Sequence, residues 1–143
     1  MKNEELSRLT KTEKETMDVA ADFAKKCKQG DIVLLYGDLG AGKTVFCKGF
    51  ASGLGVVADV VSPTFTIINN YGDLLNHFDL YRINSADELV NIGAEEVLFG
   101  DKISLVEWPE RVDKNYFGDN VWLVEIVKVD DTTRKITIKR DKL

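Results

Sequence analysis

The sequence predicts an α/β fold built on a mixed sheet with a parallel centre and antiparallel hairpins. Two short, continuous apolar runs, Ile32 to Tyr36 and Ile103 to Val106, have the pattern of strands buried on both faces, which is typical of parallel sheets. Stretches with helical periodicity precede and follow the first run, and the C-terminal part of the chain has the pattern of a hairpin. With 143 residues, we expect a single domain spanning residues 1–143.

Two helices are predicted around the first buried strand. Thr12 and Glu15 form an S/T-x-x-E capping box, and small apolar residues follow at helical spacing, so the first helix is expected from about Thr12 to Gln29. A second helix is expected to begin at Lys43, after a glycine-rich loop, and to be terminated by Gly55. The order is therefore helix, strand, loop, helix.

Further elements are predicted downstream. The stretches FTIINNY and LLNHFDLYR flank Gly72 and Asp73, which indicates a hairpin of two antiparallel strands. A second capping box, formed by Ser85 and Glu88, opens a short helix through Ile92. The segments VWLVEIVKV and RKITIKR, joined by the polar turn DDTT, predict a C-terminal hairpin.

Composition and charge exclude several classes of protein. Apolar residues make up 44% of the chain, and the net charge of -5 provides no broad positive field that would capture nucleic acid directly. The N-terminal stretch is too polar for a signal peptide, and no apolar run approaches the roughly 20 residues that cross a bilayer. Cys27 and Cys47 lack CxxC spacing, which indicates neither a disulfide framework nor a zinc site. We therefore expect a cytoplasmic protein without a membrane partner.

The stretch YGDLGAGKTVF, residues 36–46, matches the Walker A pattern G-x-x-x-x-G-K-[ST] in full. Glycines allow backbone N–H groups to turn inward around phosphates, and the helix that starts there adds partial positive charge. A buried strand before the motif and a helix after it supply the context that the motif requires. The pattern predicts a P-loop NTPase-like three-layer sandwich with a nucleotide site. The expected contacts are Gly37, Asp38, Leu39, Gly40, Ala41, Gly42, Lys43, Thr44 and Val45.

Three further side chains are candidates for the chemistry. Lys43 is expected to reach the β and γ phosphates, and Thr44 to offer its hydroxyl to Mg²⁺. The strand ISLVE ends at Glu107, which has the form of a Walker B element and would place a carboxylate beside the metal. An ordinary charged strand end is the alternative for Glu107.

Asp79, in HFDLYR, is a second candidate carboxylate. On an extended strand Phe78 and Leu80 would be buried on one face, while His77 and Asp79 point to the other. Spacing alone leaves an ordinary strand residue equally open for Asp79. The single histidine, His77, is interpreted as a hydrogen-bonded structural residue rather than a ligand or base.

Two other features are candidates for a switch. Ser62, Thr64 and Thr66 lie in a stretch around Pro63 that could close over the γ phosphate, although hydroxyls in such loops also satisfy turn backbone. Trp108 directly follows Glu107 and either packs near the site or covers the end of the sheet.

Together these motifs resemble one family. GDLGAGKT, SPTFTIINNY, HFDLYRI, the EL...G...E-V-L stretch from Glu88 to Leu98, and SLVEWPER closely resemble the TsaE family (formerly YjeE), the P-loop ATPases of bacterial tRNA threonylcarbamoyladenosine (t6A) synthesis. The likeness covers roughly Thr12 to Arg140, and the motifs occur in the family's order.

The resemblance implies roles for particular residues. It implies that Lys43 and Thr44 bind the phosphates of ATP and Mg²⁺, that Asp79 and Glu107 serve the metal and hydrolysis, and that Trp108 is functionally important. For the adenine end of the nucleotide, a separate hypothesis is that three residues close on the base: Glu13, Thr133 and Arg134.

The resemblance also implies partners. Similar proteins are accessory ATPases that engage a complex of TsaD and TsaB, which transfers threonylcarbamoyl to a tRNA adenosine, so tRNA would be contacted indirectly. ATP hydrolysis there supports repeated cycles of modification. No intrinsic arginine finger is evident, with Arg82 and Arg111 as candidates, so slow hydrolysis by the isolated protein is expected, and a group supplied in trans can accelerate it by ~10³ to 10⁵.

Three alternative functions remain. A small-molecule kinase would use the same loop, but such enzymes carry an arginine-rich lid, and the arginines of this chain are scattered. A GTP-dependent switch would carry an N-K-x-D motif, which this sequence lacks. A nucleotide-dependent interaction module without essential hydrolysis stays open.

Overall fold

The computed structural model describes residues 5–38, 40–57 and 67–141. The described residues form seven strands, four α-helices and two short 3₁₀ turns, the latter at Pro109–Arg111 and Lys114–Phe117. The elements are β1 (Glu5–Thr10), α1 (Glu13–Ala24), β2 (Ile32–Tyr36), α2 (Lys43–Gly53), β3 (Ile68–Tyr71), β4 (Leu75–Asp79), α3 (Ala86–Asn91), α4 (Ala94–Leu98), β5 (Ile103–Glu107), β6 (Val121–Lys128) and β7 (Arg134–Asp141).

The strands form a mixed sheet in the order β1-β7-β6-β2-β5-β4-β3. The four central strands, β6, β2, β5 and β4, run parallel to one another. On one side of them β7 pairs antiparallel with β6 and β1 pairs antiparallel with β7, and on the other side β3 pairs antiparallel with β4. This arrangement confirms the predicted α/β fold with a parallel centre and antiparallel hairpins. Because β2 and β5 are adjacent, their carboxyl ends at Tyr36 and Glu107 meet at the same edge of the sheet.

Both faces of the sheet are covered, which explains why the central strands are apolar along their length. On one face α1 and α2 pack over a cluster that includes Val33 and Leu35 of β2. On the other face α3, α4 and the second 3₁₀ turn pack over a cluster that includes Ile32 and Leu34. Alternate residues of one strand thus enter two cores, as the period of a strand requires. The predicted three-layer architecture is confirmed.

The start of α1 follows the predicted capping box. The hydroxyl Oγ1 of Thr12 accepts the Glu15 N–H at 3.0 Å, and the Glu15 carboxylate accepts the Lys11 N–H at 2.8 Å. The helix ends at Ala24, however, and not near Gln29 as predicted. Beyond Lys25, the N–H groups of Lys26 and Cys27 donate to carbonyls three residues back, which tightens the chain into a non-α turn.

The packing of α2 on α1 depends on glycine. A Cβ on Gly49 would overlap the backbone of Met17, and one on Gly53 would lie 2.5 Å from the carbonyl oxygen of Ala21. The two helices can therefore approach more closely than side chains would allow. The prediction that Gly55 terminates this helix is confirmed, because Gly55 adopts a φ of +91° directly after the helix.

Two elements were not predicted. Strand β1 is mostly polar because it lies at the edge of the sheet and pairs only with β7, with Thr10 opposite Arg134. Helix α4 follows α3 after Gly93, which has a φ of +72°. Both predicted hairpins are confirmed, β3 with β4 around Gly72 and β6 with β7.

Candidate nucleotide-binding site

The Walker A loop connects β2 to α2 at the carboxyl edge of the parallel strands. Gly40 and Gly42 have φ values of +81° and +107°, a left-handed conformation that L side chains rarely adopt. Within the loop the Ala41 N–H donates to the Asp38 carbonyl at 3.0 Å. Helix α2 begins at Lys43, directly after the loop. The first N–H groups of the helix, which have no acceptor within the helix, therefore lie at the loop.

Lys43 is the most unusual residue of the loop. Its side chain is only 7% exposed, yet its Nζ has no hydrogen-bond partner among the described residues. Burial lowers the pKa of Lys43, whereas the neighbouring Glu107 carboxylate raises it. A buried ammonium without an acceptor costs free energy, so the arrangement is the one expected where an anionic ligand supplies the acceptors.

Trp108 covers this ammonium. The Lys43 Nζ lies 3.4 Å from the centroid of the Trp108 ring, and the Tyr81 ring packs on the indole at a centroid distance of 4.9 Å. The guanidinium of Arg111 stacks on the outer side, 4.9 Å from the Tyr81 ring. Trp108 therefore contacts the Walker A lysine and does more than cover the end of the sheet.

Two carboxylates lie opposite the loop. Asp79 and Glu107 are register partners at the ends of β4 and β5, and Glu107 is 4% exposed whereas Asp79 is half-buried. Burial raises the pKa of Asp79, and the N–H that Tyr81 donates to its Oδ1 at 3.0 Å opposes this shift. The parallel pairing of β4 with β5 brings together the two acidic residues that the sequence singled out.

His77 contacts Glu107 directly. Its Nε2 lies 2.7 Å from Oε2 of Glu107, and the histidine is 1% exposed. His77 and Asp79 are two apart on β4 and share its face, as the strand period requires. The sequence interpretation treated His77 as structural, and its contact with Glu107 was missed because the pairing of β4 with β5 is not visible in the sequence. The i, i+2 spacing of His77 and Asp79 was the available signal.

Arg134, the first residue of β7, binds the Walker A loop from outside. Its Nε donates to the Ala41 carbonyl at 2.9 Å and its Nη2 to the Gly40 carbonyl at 3.4 Å. Its Nη1 donates to the Asp130 carbonyl at 2.9 Å, which ties the loop to the β6–β7 turn. Arg134 thus binds two carbonyl groups of the loop.

A cleft of about 250 Å³ lies beside Arg134, between the start of α1, the first turn of α2 and the β6–β7 turn. Glu13 and Arg134, two of the three residues assigned to the adenine end, line it together with Val45 of the predicted phosphate loop. Thr133 does not line it. Instead Thr133 is buried and its N–H donates to Asp130 Oδ1 at 2.8 Å, and Thr132 lines the cleft in its place.

The remaining predicted site residues divide into two groups. Thr44 is exposed on the first turn of α2, where its hydroxyl can reach a ligand in the loop. Four residues, Leu39, Ser62, Thr64 and Thr66, lie outside the described residues.

Within the part of the chain that the structure describes, no helix has the length and apolarity to span a membrane.

The fold and the site together indicate a class of protein. They show an α/β protein whose parallel strands present a Walker A loop and a buried acidic strand end at one edge of the sheet. The chain belongs to the TsaE family, because the family model described as "Threonylcarbamoyl adenosine biosynthesis protein TsaE" matches residues 10–136.

Individual relatives agree with this assignment. A Bacillus subtilis protein named "tRNA threonylcarbamoyladenosine biosynthesis protein TsaE" is 43% identical over 126 residues, which cover 86% of this chain and 78% of the relative. A Rickettsia typhi protein of the same name is 39% identical over 134 residues, covering 91% and 92%. The crystal structure of Bacillus subtilis YdiB superposes with a TM-score of 0.82 at 35% identity, covering 99% of this chain and 88% of that one. The family resemblance predicted from the motifs is confirmed.

Proposed function

We propose that this protein binds and hydrolyses ATP as an accessory protein of tRNA t6A biosynthesis and that it acts with the TsaD–TsaB complex. Its relatives are named for t6A biosynthesis. The observation that supports the nucleotide site is the buried Lys43 ammonium, which has no hydrogen-bond acceptor among the described residues. A triphosphate in the Walker A loop supplies those acceptors.

Binding is assigned to the loop, the start of α2 and the cleft beside them. The backbone N–H groups between Gly37 and Thr44 surround the phosphates, and Lys43 pairs with the β and γ phosphates. Arg134 occupies the carbonyls of Ala41 and Gly40, which leaves the N–H groups of the loop to bind the phosphates. The cleft lined by Glu13 and Arg134 takes the adenine end.

The acidic edge fits Mg²⁺. The exposed Thr44 hydroxyl and the carboxylates of Glu107 and Asp79 are hard oxygen donors, the type that this ion prefers. When bound, Mg²⁺ supplies charge neutralisation at the γ phosphoryl group. The side chains around it bind and orient: Lys43 stabilises charge developing on the phosphoryl oxygens, and Glu107 or Asp79 orients the attacking water.

His77 assists by holding Glu107. In this role the His77 Nε2 donates the hydrogen that bridges the 2.7 Å to Oε2 of Glu107. With both groups buried, this bond restricts the carboxylate to one orientation. Outer-shell bonds of this type orient the groups that act on the metal or on water.

Slow turnover by the isolated protein follows from the arginines. Arg134 is engaged by loop carbonyls, and Arg111 is stacked on Tyr81 and lies 5.9 Å from the Trp108 ring. Both guanidinium groups are therefore engaged by other groups of the chain. We therefore propose that TsaD and TsaB accelerate hydrolysis, either by supplying a cationic group or by moving the aromatic stack.

The ATPase rate with and without purified TsaD and TsaB, measured together with tRNA modification, tests the proposal. We expect slow turnover alone and an increase of up to ~10³-fold with the partners. Turnover that is equal with and without TsaD and TsaB would contradict the proposed partnership. ADP formation that depends on an added small-molecule acceptor would favour a kinase instead.

The alternative of an interaction module without essential hydrolysis requires a separate test. Glu107→Ala is expected to bind ATP but to fail in repeated cycles of tRNA modification. If Glu107→Ala supports modification as well as the parent chain does, ATP binding alone is sufficient.

A further inference from the structure

A buried cluster of three metal-ligating side chains lies beneath the Walker A loop, and the proposed ATPase reaction leaves one of them unused. The Sγ of Cys47 lies 3.7 Å from Nε2 of His77, and that nitrogen lies 2.7 Å from Oε2 of Glu107. The three ligand atoms all lie within 4.8 Å of one another. The side chains belong to α2, β4 and β5, and each residue is at most 4% exposed.

We propose that Cys47, His77 and Glu107 form a zinc site, which competes with the nucleotide site for Glu107. A thiolate, an imidazole and a carboxylate are the ligand types that Zn²⁺ takes in proteins. Three protein ligands leave a fourth position for water or for another group. The proposal goes beyond ATP hydrolysis, since it adds a second metal and a form of the protein in which Glu107 is occupied.

The observed distances are close to those that zinc requires. Tetrahedral zinc with ordinary bond lengths separates a sulfur and a nitrogen ligand by about 3.5 Å and a nitrogen and an oxygen ligand by about 3.3 Å. The distance from Cys47 to His77 is already 3.7 Å. The Glu107 Oε2 lies 2.7 Å from the imidazole nitrogen, so zinc binding requires these two atoms to separate by about 0.6 Å.

The cluster already contains a carboxylate that can pair with a cation. The ligand oxygen of Glu107 lies within 4.8 Å of the Cys47 Sγ and of the His77 ring nitrogen. On binding, a zinc–sulfur bond replaces the S–H bond and the proton leaves to solvent, so the ion is neutralised by one thiolate and one carboxylate. No electrons are transferred.

The sequence did not reveal this site because its ligands are far apart along the chain. The spacing of Cys27 and Cys47 indicated no zinc motif, and His77 has no second histidine near it. The site exists only because β4 lies beside β5 and α2 packs over them. A consequence is that zinc-loaded protein cannot use Glu107 for hydrolysis, so Zn²⁺ should inhibit the ATPase.

Zinc binding by the full chain, measured in the absence of nucleotide by competition with a chromophoric chelator, tests the proposal. Cys27 provides a matched control, because it is the other cysteine of the chain and its Sγ instead faces the Phe23 carbonyl at 3.7 Å. We expect the parent chain and Cys27→Ser to bind one Zn²⁺ with the same affinity. Cys47→Ser should bind about 100-fold more weakly or worse, because it loses a direct ligand.

Cobalt provides a direct probe of the sulfur. Co²⁺ added to the parent chain and to Cys27→Ser should produce a thiolate-to-cobalt charge-transfer band, which Cys47→Ser should lack. Thermal unfolding of the metal-free variants controls for folding, with Cys47→Ala as a second replacement. If both Cys47 variants unfold, the test rests on the cobalt spectra of the parent chain and of Cys27→Ser, and absence of the charge-transfer band from these spectra would contradict the proposal.

Three outcomes would overturn the proposal: no saturable binding of one Zn²⁺, equal loss of binding in Cys27→Ser, or a charge-transfer band that persists without Cys47. Inhibition of the ATPase by Zn²⁺ should likewise disappear in Cys47→Ser. Because zinc binding is measured without ATP, its failure leaves the proposed ATPase function intact. Conversely, a protein that does not hydrolyse ATP could still bind zinc.

Discussion

The ammonium of Lys43 lies 3.4 Å from the centroid of the Trp108 ring, so an aromatic face occupies the position next to the Walker A lysine. A desolvated cation–π contact contributes about 2 kcal/mol. The left-handed φ of +57° at Trp108 costs on the order of 1 to 3 kcal/mol, which offsets much of that gain. A phosphate group that pairs with Lys43 competes with the indole for the same cation.

This relationship predicts a fluorescence signal for nucleotide binding. Addition of ATP and Mg²⁺ should change the emission of Trp108, because the ring loses a cation at close range. The chain has two tryptophans, and Trp122 packs against Phe23 at 5.1 Å, away from the loop. Titration of Trp122→Phe should therefore retain the change, and Trp108→Phe should lose it. A signal that follows Trp122 would contradict the predicted competition.

Replacement of Lys43 should stabilise the nucleotide-free fold. Lys43→Met removes a buried ammonium that has no hydrogen-bond partner among the described residues, and keeps a side chain of similar length. We expect the cost of burying the ammonium to exceed its cation–π contact with Trp108, so that the variant gains about 1 kcal/mol in the free energy of unfolding, or about 4 °C in Tm. Lys48→Met, on the exposed side of the same helix, is the control and should change Tm little. A lower Tm for Lys43→Met would show that the ammonium stabilises the empty site.

The pH dependence of this difference has a defined sign. The pKa of Lys43 is lowered in the folded state from the ordinary 10.5, so between the two values the unfolded chain binds more protons. The free energy of unfolding of the parent chain should then rise with pH in that window, relative to Lys43→Met. The stability gap measured by denaturant titration should shrink as the pH approaches 10.5. A gap that widens would contradict the lowered pKa.

His77 is predicted to act by positioning Glu107. His77→Ala should lower kcat about 10- to 100-fold with little change in KM, because the donor to Oε2 is lost while the loop is intact. His77→Gln places an amide donor near the position of Nε2 and should recover part of the rate. If the two variants have equal rates, or if only KM changes, His77 does not orient Glu107.

Arg134 is predicted to stabilise the loop for binding. Arg134→Ala removes the donors to the Ala41 and Gly40 carbonyls and should weaken ATP affinity about tenfold, equivalent to about 1.4 kcal/mol. Arg140→Ala is the matched control from the same strand, since Arg140 donates to Asn120 and stacks on Trp122 instead. Calorimetric titration of both variants distinguishes the effects. Equal ATP affinities for the two variants would show that Arg134 does not contribute to ATP binding.

The parts of the fold that local chemistry determines could be predicted from the sequence. The cap at Thr12, the termination at Gly55 and the buried pattern of β2 each follow from residues within a few positions of one another. Strand β1 could not be predicted, because an edge strand with exposed polar residues has no distinctive pattern. Its formation depends on pairing with β7, at the opposite end of the chain.

The candidate site divides in the same way. The Walker A residues are contiguous, so their position at the end of β2 followed from the motif. The contacts of His77 with Glu107 and Cys47, and of Lys43 with Trp108, join residues 30 or more positions apart. Those contacts require the parallel order of β2, β5 and β4, which periodicity does not give. Arg134 was chosen for the adenine end, and its hydrogen bonds to the loop appear only in three dimensions.

Calorimetric titration with ATP and Mg²⁺ tests most directly whether the Walker A loop holds a triphosphate through Lys43. For the parent chain we predict saturable binding of one nucleotide. For Lys43→Ala, which leaves the glycines and α2 in place, we predict no measurable heat at millimolar ATP. Equal affinity in the two proteins, or no binding by the parent chain, would contradict the nucleotide site on which the proposed function depends.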